Sequence, residues 1–222
     1  MVVLATKVYV SGDARDRALD SLDTLVDNDI GDLDVEWTVG LRHDDFPSVT
    51  VRGADRVAAR NVLRETWGDI TADFDDGEPS VGTLESWDED GIVLDAGAEV
   101  RIPRERIGLG AGAPGQIRTR FGLVQHVPLR FIHGDPPRLA EVERDRLFDW
   151  TREETGRVNV NSATRAEVRA TVNRAGHATD ILTVERLGLL EHSIVCAAGT
   201  DPPGLLASIG SHLQSELLAV VP

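Results

Sequence analysis

Seven arginines and only two acids, Glu105 and Asp135, fall between Arg101 and Arg138, in the run RIPRERIGLGAGAPGQIRTRFGLVQHVPLRFIHGDPPR of a chain with net charge −15. A guanidinium is planar, always charged, and presents paired donors that match two oxygens of one phosphate. The acidic remainder of the surface repels polyanions, so a basic island marks the place where nucleic acid or an acidic protein would be met. The residues expected to bind are Arg101, Arg104, Arg118, Arg120, His126 and Arg130. With QIRTRF as a strand, alternation puts Arg118 and Arg120 on one face, opposite Ile117, Thr119 and Phe121, while His126 and Arg130 share a face across Leu129. The same arginines could instead pair with Asp and Glu of flanking segments.

Other chemistry is thinly represented. No C-x-x-C, H-E-x-x-H or G-x-S-x-G occurs, and the six histidines (43, 126, 133, 177, 192, 212) show no short ligand spacing. No catalytic residue, metal ligand or cofactor site is therefore assigned. His43-Asp44-Asp45 reads as a solvated hairpin turn. Asp73, Asp75, Asp76 and Glu78 read as an acidic linker in preference to a hard-cation site. Gly110, Gly112 and Gly115 fit G-x-G-x-x-G, but Pro114 interrupts the motif and a strand is expected after it, which leaves a connector loop. Cys196, the single cysteine, sits in the apolar run SIVCAAG and reads as a small buried hydrophobe.

Acids outnumber basic residues 18 to 8 over positions 1–80 and 13 to 9 over 135–222, but only 7 to 6 over 81–134. Lys7 is the one lysine, and aspartate exceeds glutamate. This is the composition of a protein from a high-salt cytoplasm, where surface acidity serves solubility. MVVLATKVYVSG is too short in its apolar part for a signal peptide, and no apolar run reaches the roughly 20 residues of a spanning helix. A cytoplasmic protein with no membrane partner is expected; no oligomeric state follows.

The elements that must position the arginines form three blocks. In the first, VVLATKVYV, DLDVEWTVGL, PSVTVRG and ITADF read as strands, with helices over Asp13–Asn28 and Ala54–Trp67. Its order, β-α-β-β-α-β, is that of a ferredoxin-like unit. The last block repeats it: strands RVNVNS, DILTVERL, LEHSIVCAA and LLAVV, one helix opened by the capping box Thr164 to Glu167, and another by Asp201 and Pro202. The middle block holds strands GTLESW, GIVLDA, AEVRIP, QIRTRF and LVQHVPLRFI, the number of a small OB-type β-barrel. The fold class expected is α+β in three small domains: 1–78 ferredoxin-like, 79–134 OB-type barrel, and 135–222 a linker helix plus a second ferredoxin-like unit.

VGTLESWDEDGIVLDAGAEVRIP resembles the opening of the RNA-binding OB modules of a bacterial small-subunit ribosomal protein and of the alpha subunit of archaeal initiation factor two, through Gly82, Gly91, Val93, Asp95 and Gly97. Where those modules place stacking aromatics, this chain has Ile92 and Ile102. The chain as a whole resembles an archaeal, largely halophilic family, domain of unknown function 2110. These resemblances imply a non-catalytic RNA or ribonucleoprotein binding factor in archaeal information processing, with translation as the setting. Two alternatives stay open: a protein-interaction adaptor using Ile92 and Ile102 as an apolar barrel face against an acidic protein surface, and an RNA-processing enzyme with a site between domains. Neutralising about five phosphates would cost on the order of five decades of affinity between physiological and molar salt. Binding in molar salt must therefore use short-range arginine contacts.

Overall fold

The computed structural model of the chain describes residues 1–71, 73–74 and 77–222. In the N-terminal unit, β1 (Val2–Val3), α1 (Asp13–Ile30), β2 (Val35–Leu41), β3 (Pro47–Gly53) and α2 (Arg56–Trp67) follow in order. Apolar residues every fourth position make each helix one-sided: α1 buries Ala18, Leu22, Val26 and Ile30, and α2 buries Ala59, Leu63 and Trp67. Both faces close over Val49 and Val51 of β3, in an antiparallel sheet of order β1-β3-β2. The strand expected at ITADF reduces to one antiparallel bridge between Leu4 and Asp69 beside β1; Ala72 lies outside the described residues, as do Asp75 and Asp76 of the acidic linker.

The first strand is also shorter than its alternation implies. Thr6 N–H donates to the Leu4 carbonyl at 2.9 Å, a local turn that ends the pairing. It sends Lys7 into the gap between the N-terminal and central units, where Nζ lies 2.7 Å from Asp95 and 3.0 Å from Glu85, with the side chain only 10% exposed. Burial opposes this charge, but Asp95 and Glu85 outweigh it and hold the ammonium above the ordinary lysine pKa. Lys7→Ala leaves two carboxylates without their counter-ion, so a loss of about 3 kcal/mol is expected in urea unfolding. A variant as stable as the parent would show the pair to be energetically silent.

The central unit comprises β4 (Pro79–Trp87), β5 (Gly91–Asp95), β6 (Glu99–Pro103), α3 (Arg104–Ile107), α4 (Pro114–Arg120), β7 (Pro128–Ile132), β8 (Arg138–Leu139) and α5 (Glu141–Trp150). Its five strands form an antiparallel sheet of order β6-β5-β4-β7-β8, curled into a half-barrel. QIRTRF is not a strand: it lies in α4. Pro114 begins that helix, Gln116 Oε1 accepts the Ala113 N–H at 2.9 Å, and Ile117 and Phe121 turn into the core. Residues i and i+4 share a face in a strand as well as in a helix, so the two apolar positions fitted both periodicities. The start of LVQHVPLRFI is likewise loop, with His126 at φ 66°, and only Pro128–Ile132 pair as strand. The helix expected from Asp135 starts at Glu141, after a cis Asp135–Pro136 bond and β8, and Leu147 and Trp150 pack it onto the central core.

The C-terminal unit runs β9 (Arg157–Val160), α6 (Arg165–Arg174), β10 (Ile181–Arg186), β11 (His192–Cys196), α7 (Pro202–Gly210) and β12 (Leu217–Val220), with sheet order β10-β11-β9-β12. The capping box is formed: Thr164 Oγ1 accepts the Glu167 N–H, and Glu167 Oε2 accepts the Thr164 N–H at 2.8 Å. Asp201 caps α7 by accepting the Gly204 N–H at 3.0 Å. Val158, Val160, Val168, Val172 and Ile194 form its core, and Cys196 is buried there.

The three units are locked at one junction. Tyr9 donates to Glu191 Oε1 at 2.7 Å, accepts the Ser162 N–H at 2.8 Å, and packs against His126 with the rings tilted by 34° and their centroids 4.0 Å apart. Glu191 belongs to the C-terminal unit and His126 to the central one, so a single N-terminal side chain touches both. Leu189 N–H donates to Thr6 Oγ1 close by, at 2.8 Å.

Candidate nucleic-acid interface

The six residues expected to bind do not form one face. Arg101, on β6, is half-exposed and ion-paired with Asp88 at 2.8 Å. Its guanidinium is the main cause that holds the Asp88 carboxyl below the usual carboxylate range. Arg104 stands exposed at the start of α3. Arg118 is buried, bonded to Glu216 of the C-terminal unit and lying 3.7 Å over the Trp87 ring. Arg120 donates to the carbonyls of Leu109 at 2.7 Å and Ala111 at 3.1 Å, so it ties down the Gly-rich connector. His126 Nδ1 lies 3.2 Å from Glu85 within the junction. Burial opposes the charge of Glu85, but hydrogen bonds from His126 and Lys7 bring its carboxyl down to about 2. Arg130 alone of the six lines a cleft between units. Ile92 and Ile102, expected to form a surface platform, are both buried in the central core, so the barrel has no apolar binding face at those positions.

The cleft that Arg130 joins is built by all three units. A recess of ≈ 170 Å³ is walled by Thr6, Thr66 and Gly68 of the N-terminal unit, by Arg130 and Arg146 of the central one, and by Arg186 and Gly188 of the C-terminal one. Next to it a groove of ≈ 560 Å³ is walled by Trp150, Arg165 and Thr183 and shares Arg146, Arg186 and Leu187 with the recess. Each arginine is aimed by its own element. Arg165, the first residue of α6, donates through Nε to the Val184 carbonyl at 2.7 Å, which leaves the rest of its guanidinium exposed. Arg146, on α5, donates through Nε to Glu143 at 3.0 Å and lies 5.1 Å over Trp150. Arg186 ends β10, with its guanidinium 4.0 Å from the Trp67 ring centre.

Arg186 is the telling member. Its Nη1 is buried and has no hydrogen-bond partner. Burial pulls its pKa below the ordinary arginine value, with Asp29 opposing and the Arg165 charge adding to the shift. The Trp67 ring and the Asp29 charge support that guanidinium, and with Nη1 closed to solvent a ligand in the cleft would reach it through its other nitrogens. The acids nearby are already engaged: Glu143 takes Arg146, Glu185 takes Arg157, and Asp29 accepts the Trp67 Nε1–H at 2.9 Å. Several arginines in one cleft suit phosphate binding, and the buried rings of Trp67 and Trp150 support the guanidinia of Arg186 and Arg146 from behind. Among the described residues, no group of three or more His, Cys, Asp or Glu is placed to hold a metal ion.

Family models match along the chain in three consecutive stretches: the DUF2110 N-terminal domain at residues 1–73, the DUF2110 central domain at 74–151 and the DUF2110 C-terminal domain at 155–221. The chain belongs to the DUF2110 family. No curated protein and no solved structure matches this DUF2110 chain. The central match ends beyond α5, in keeping with the packing of that helix on the central core. Among the described residues, no helix of the DUF2110 chain is long and apolar enough to cross a membrane.

Sequence reasoning missed Arg146, Arg165 and Arg186 because they come from three elements 19 to 21 residues apart, and no window of the chain gathers them. The one available signal was the alternation of DILTVERL, which puts Arg186 on the same face as Val184, the apolar side of its strand.

Proposed function

We propose that this protein is a non-catalytic RNA or ribonucleoprotein binding factor of archaeal information processing, with translation as its setting, and that it grips RNA in the cleft between its three units. The observation that carries the reading is the convergence of Arg130, Arg146, Arg165 and Arg186 with Trp67 and Trp150 in a chain of net charge −15. Its basic site is thus displaced from the arginine-rich run toward the junction. The acidic, lysine-poor composition supports a halophilic cytoplasm, where guanidinium stacking and bidentate phosphate contacts outlast screened long-range attraction.

The finer fold reading belongs to the same proposal. The outer sheet orders, β12-β9-β11-β10 and β1-β3-β2 with its bridge at Asp69, support two ferredoxin-like units. The order β6-β5-β4-β7-β8, with α3 and α4 inserted between β6 and β7, supports an OB-type barrel.

Fluorescence anisotropy with a single-stranded RNA oligomer over a KCl series tests the site. Arg165→Ala with Arg186→Ala should weaken binding about 100-fold and flatten the salt slope by about 0.7 for each phosphate no longer neutralised, with the far-ultraviolet circular dichroism unchanged. Arg101→Ala with Arg104→Ala should bind as the parent does. Equal weakening in both double variants, or no RNA bound at any salt, would overturn the reading.

A further inference from the structure

The recess and the groove differ in what they can hold. The ≈ 170 Å³ recess is the smaller of the two and has room for a phosphate. The ≈ 560 Å³ groove beside it has room for a nucleoside and presents the guanidinia of Arg146 and Arg165. A strand lying in the groove can send its terminal phosphate into the recess without a second nucleoside having to be placed.

Charge points the same way. Arg130, Arg146 and Arg186 line the recess, and Glu143, bonded to Arg146 and 3.5 Å from Arg130, cancels one of them, which leaves two positive charges. An internal phosphodiester carries one negative charge, whereas a terminal phosphomonoester carries nearly two at neutral pH. Thr6 and Thr66 add hydroxyls to the walls, and Arg186 Nη1 lacks a partner.

The back wall is compatible with an anion. Glu191 lies behind Gly188 and is wholly buried, with Oε2 unpartnered; a Cβ on Gly188 would overlap that oxygen and approach Pro128, another recess residue. Burial pushes this carboxyl up to about 8, so at neutral pH it is uncharged and does not repel an anion across the wall.

We infer that the recess binds the terminal phosphate of an RNA strand, a phosphomonoester, while the adjoining nucleoside occupies the groove. The inference rests on the RNA reading of the cleft, and the two separate experimentally because Arg130 lines only the recess and Arg165 only the groove.

The probes are one RNA decamer made with a 5′-phosphate, with a 3′-phosphate or with both ends hydroxyl, and adenosine monophosphate as a free phosphomonoester. A phosphate at one end should raise affinity about tenfold over the hydroxyl-ended strand. Arg130→Ala should erase that advantage, weakening the phosphate-ended strands about tenfold more than the hydroxyl-ended one. Thr66→Glu, at an exposed position that brings a carboxylate to the recess, should erase it too. Arg165→Ala should weaken all three strands alike and preserve their ratio. Equal binding of the three decamers by the parent protein would overturn the inference and leave the RNA reading standing. Binding of adenosine monophosphate, abolished in Arg130→Ala, with no decamer bound, would keep the phosphomonoester site and overturn RNA as its source. Failure of every probe would overturn both.

Discussion

Arg118→Glu is expected to lower stability by more than about 4 kcal/mol, because it replaces a buried cation by a carboxylate facing another carboxylate. Arg118 reaches from α4 to Glu216 of the C-terminal unit, and its guanidinium lies 3.7 Å over Trp87. Glu216 is held in turn: its Oε2 accepts the Gln125 N–H at 2.8 Å, and its own N–H donates to Asn161 Oδ1 at 2.8 Å. The substitution therefore removes a joint between two units as well as a charge pair. Thermal unfolding followed by tryptophan fluorescence should show a large fall in midpoint. The swap Arg118→Glu with Glu216→Arg should recover part of it, which a generic packing defect would not allow. Arg120→Glu acts on an exposed residue that only ties down the connector loop and should cost about 1 kcal/mol. Equal tolerance of both substitutions would overturn the assignment of Arg118 as an anchor.

The second large effect is on the pH dependence of stability. The Glu191 carboxyl keeps its proton to about 8 in the folded protein, against an ordinary value of 4.5, because burial penalises the anion more than the Tyr9 hydrogen bond favours it. Between those two values the native state binds more protons than the unfolded chain, so stability falls as pH rises and levels off above about 8. His192 acts in the opposite sense. Burial, with the nearby Arg165 and Arg186 charges, lowers its pKa to about 4, so its contribution is complete above its ordinary 6.5 and is lost as pH falls toward about 4. Between 6.5 and 8 the N-terminal amine, which burial lowers from its ordinary 8.0, acts against Glu191, so the difference between parent and Glu191→Gln isolates the carboxyl. In urea unfolding that difference should change by about 1.4 kcal/mol per pH unit over the window, to the parent's cost as pH rises. Parallel profiles of the two proteins would show the carboxyl to be ionised.

Residue pattern made the outer units legible. The β-α-β-β-α-β order of the last block, α1 and α2 with their one-sided faces, the Thr164 capping box and the Asp201 helix start are local matters of propensity, period and capping, and the structure has each of them, while the last strand expected in the first block reduces to one bridge. Two segments depart from their apparent pattern for a physical reason. QIRTRF places apolar residues at i and i+4, which both regular structures put on one face, and packing against the central core chose the helix. VVLATKVYV alternates like a strand throughout, yet a turn from Leu4 to Thr6 interrupts the pairing, and Lys7 beyond it meets Glu85 and Asp95 between two units.

The binding residues divide the same way. By itself the sequence determined that arginine is almost the only cation, that acids dominate outside 81–134, and that the last block runs β-α-β-β-α-β. Only the tertiary structure decided which arginines come to line the cleft between the units. Arg101, Arg118 and Arg120 are engaged by Asp88, by Glu216 and by backbone carbonyls, while Arg146, Arg165 and Arg186, from separate elements, meet Arg130 in one cleft. Secondary structure follows from neighbours a few residues apart, but the partner of a charge is whichever group the packing brings within about 4 Å, and that distance is not written along the chain.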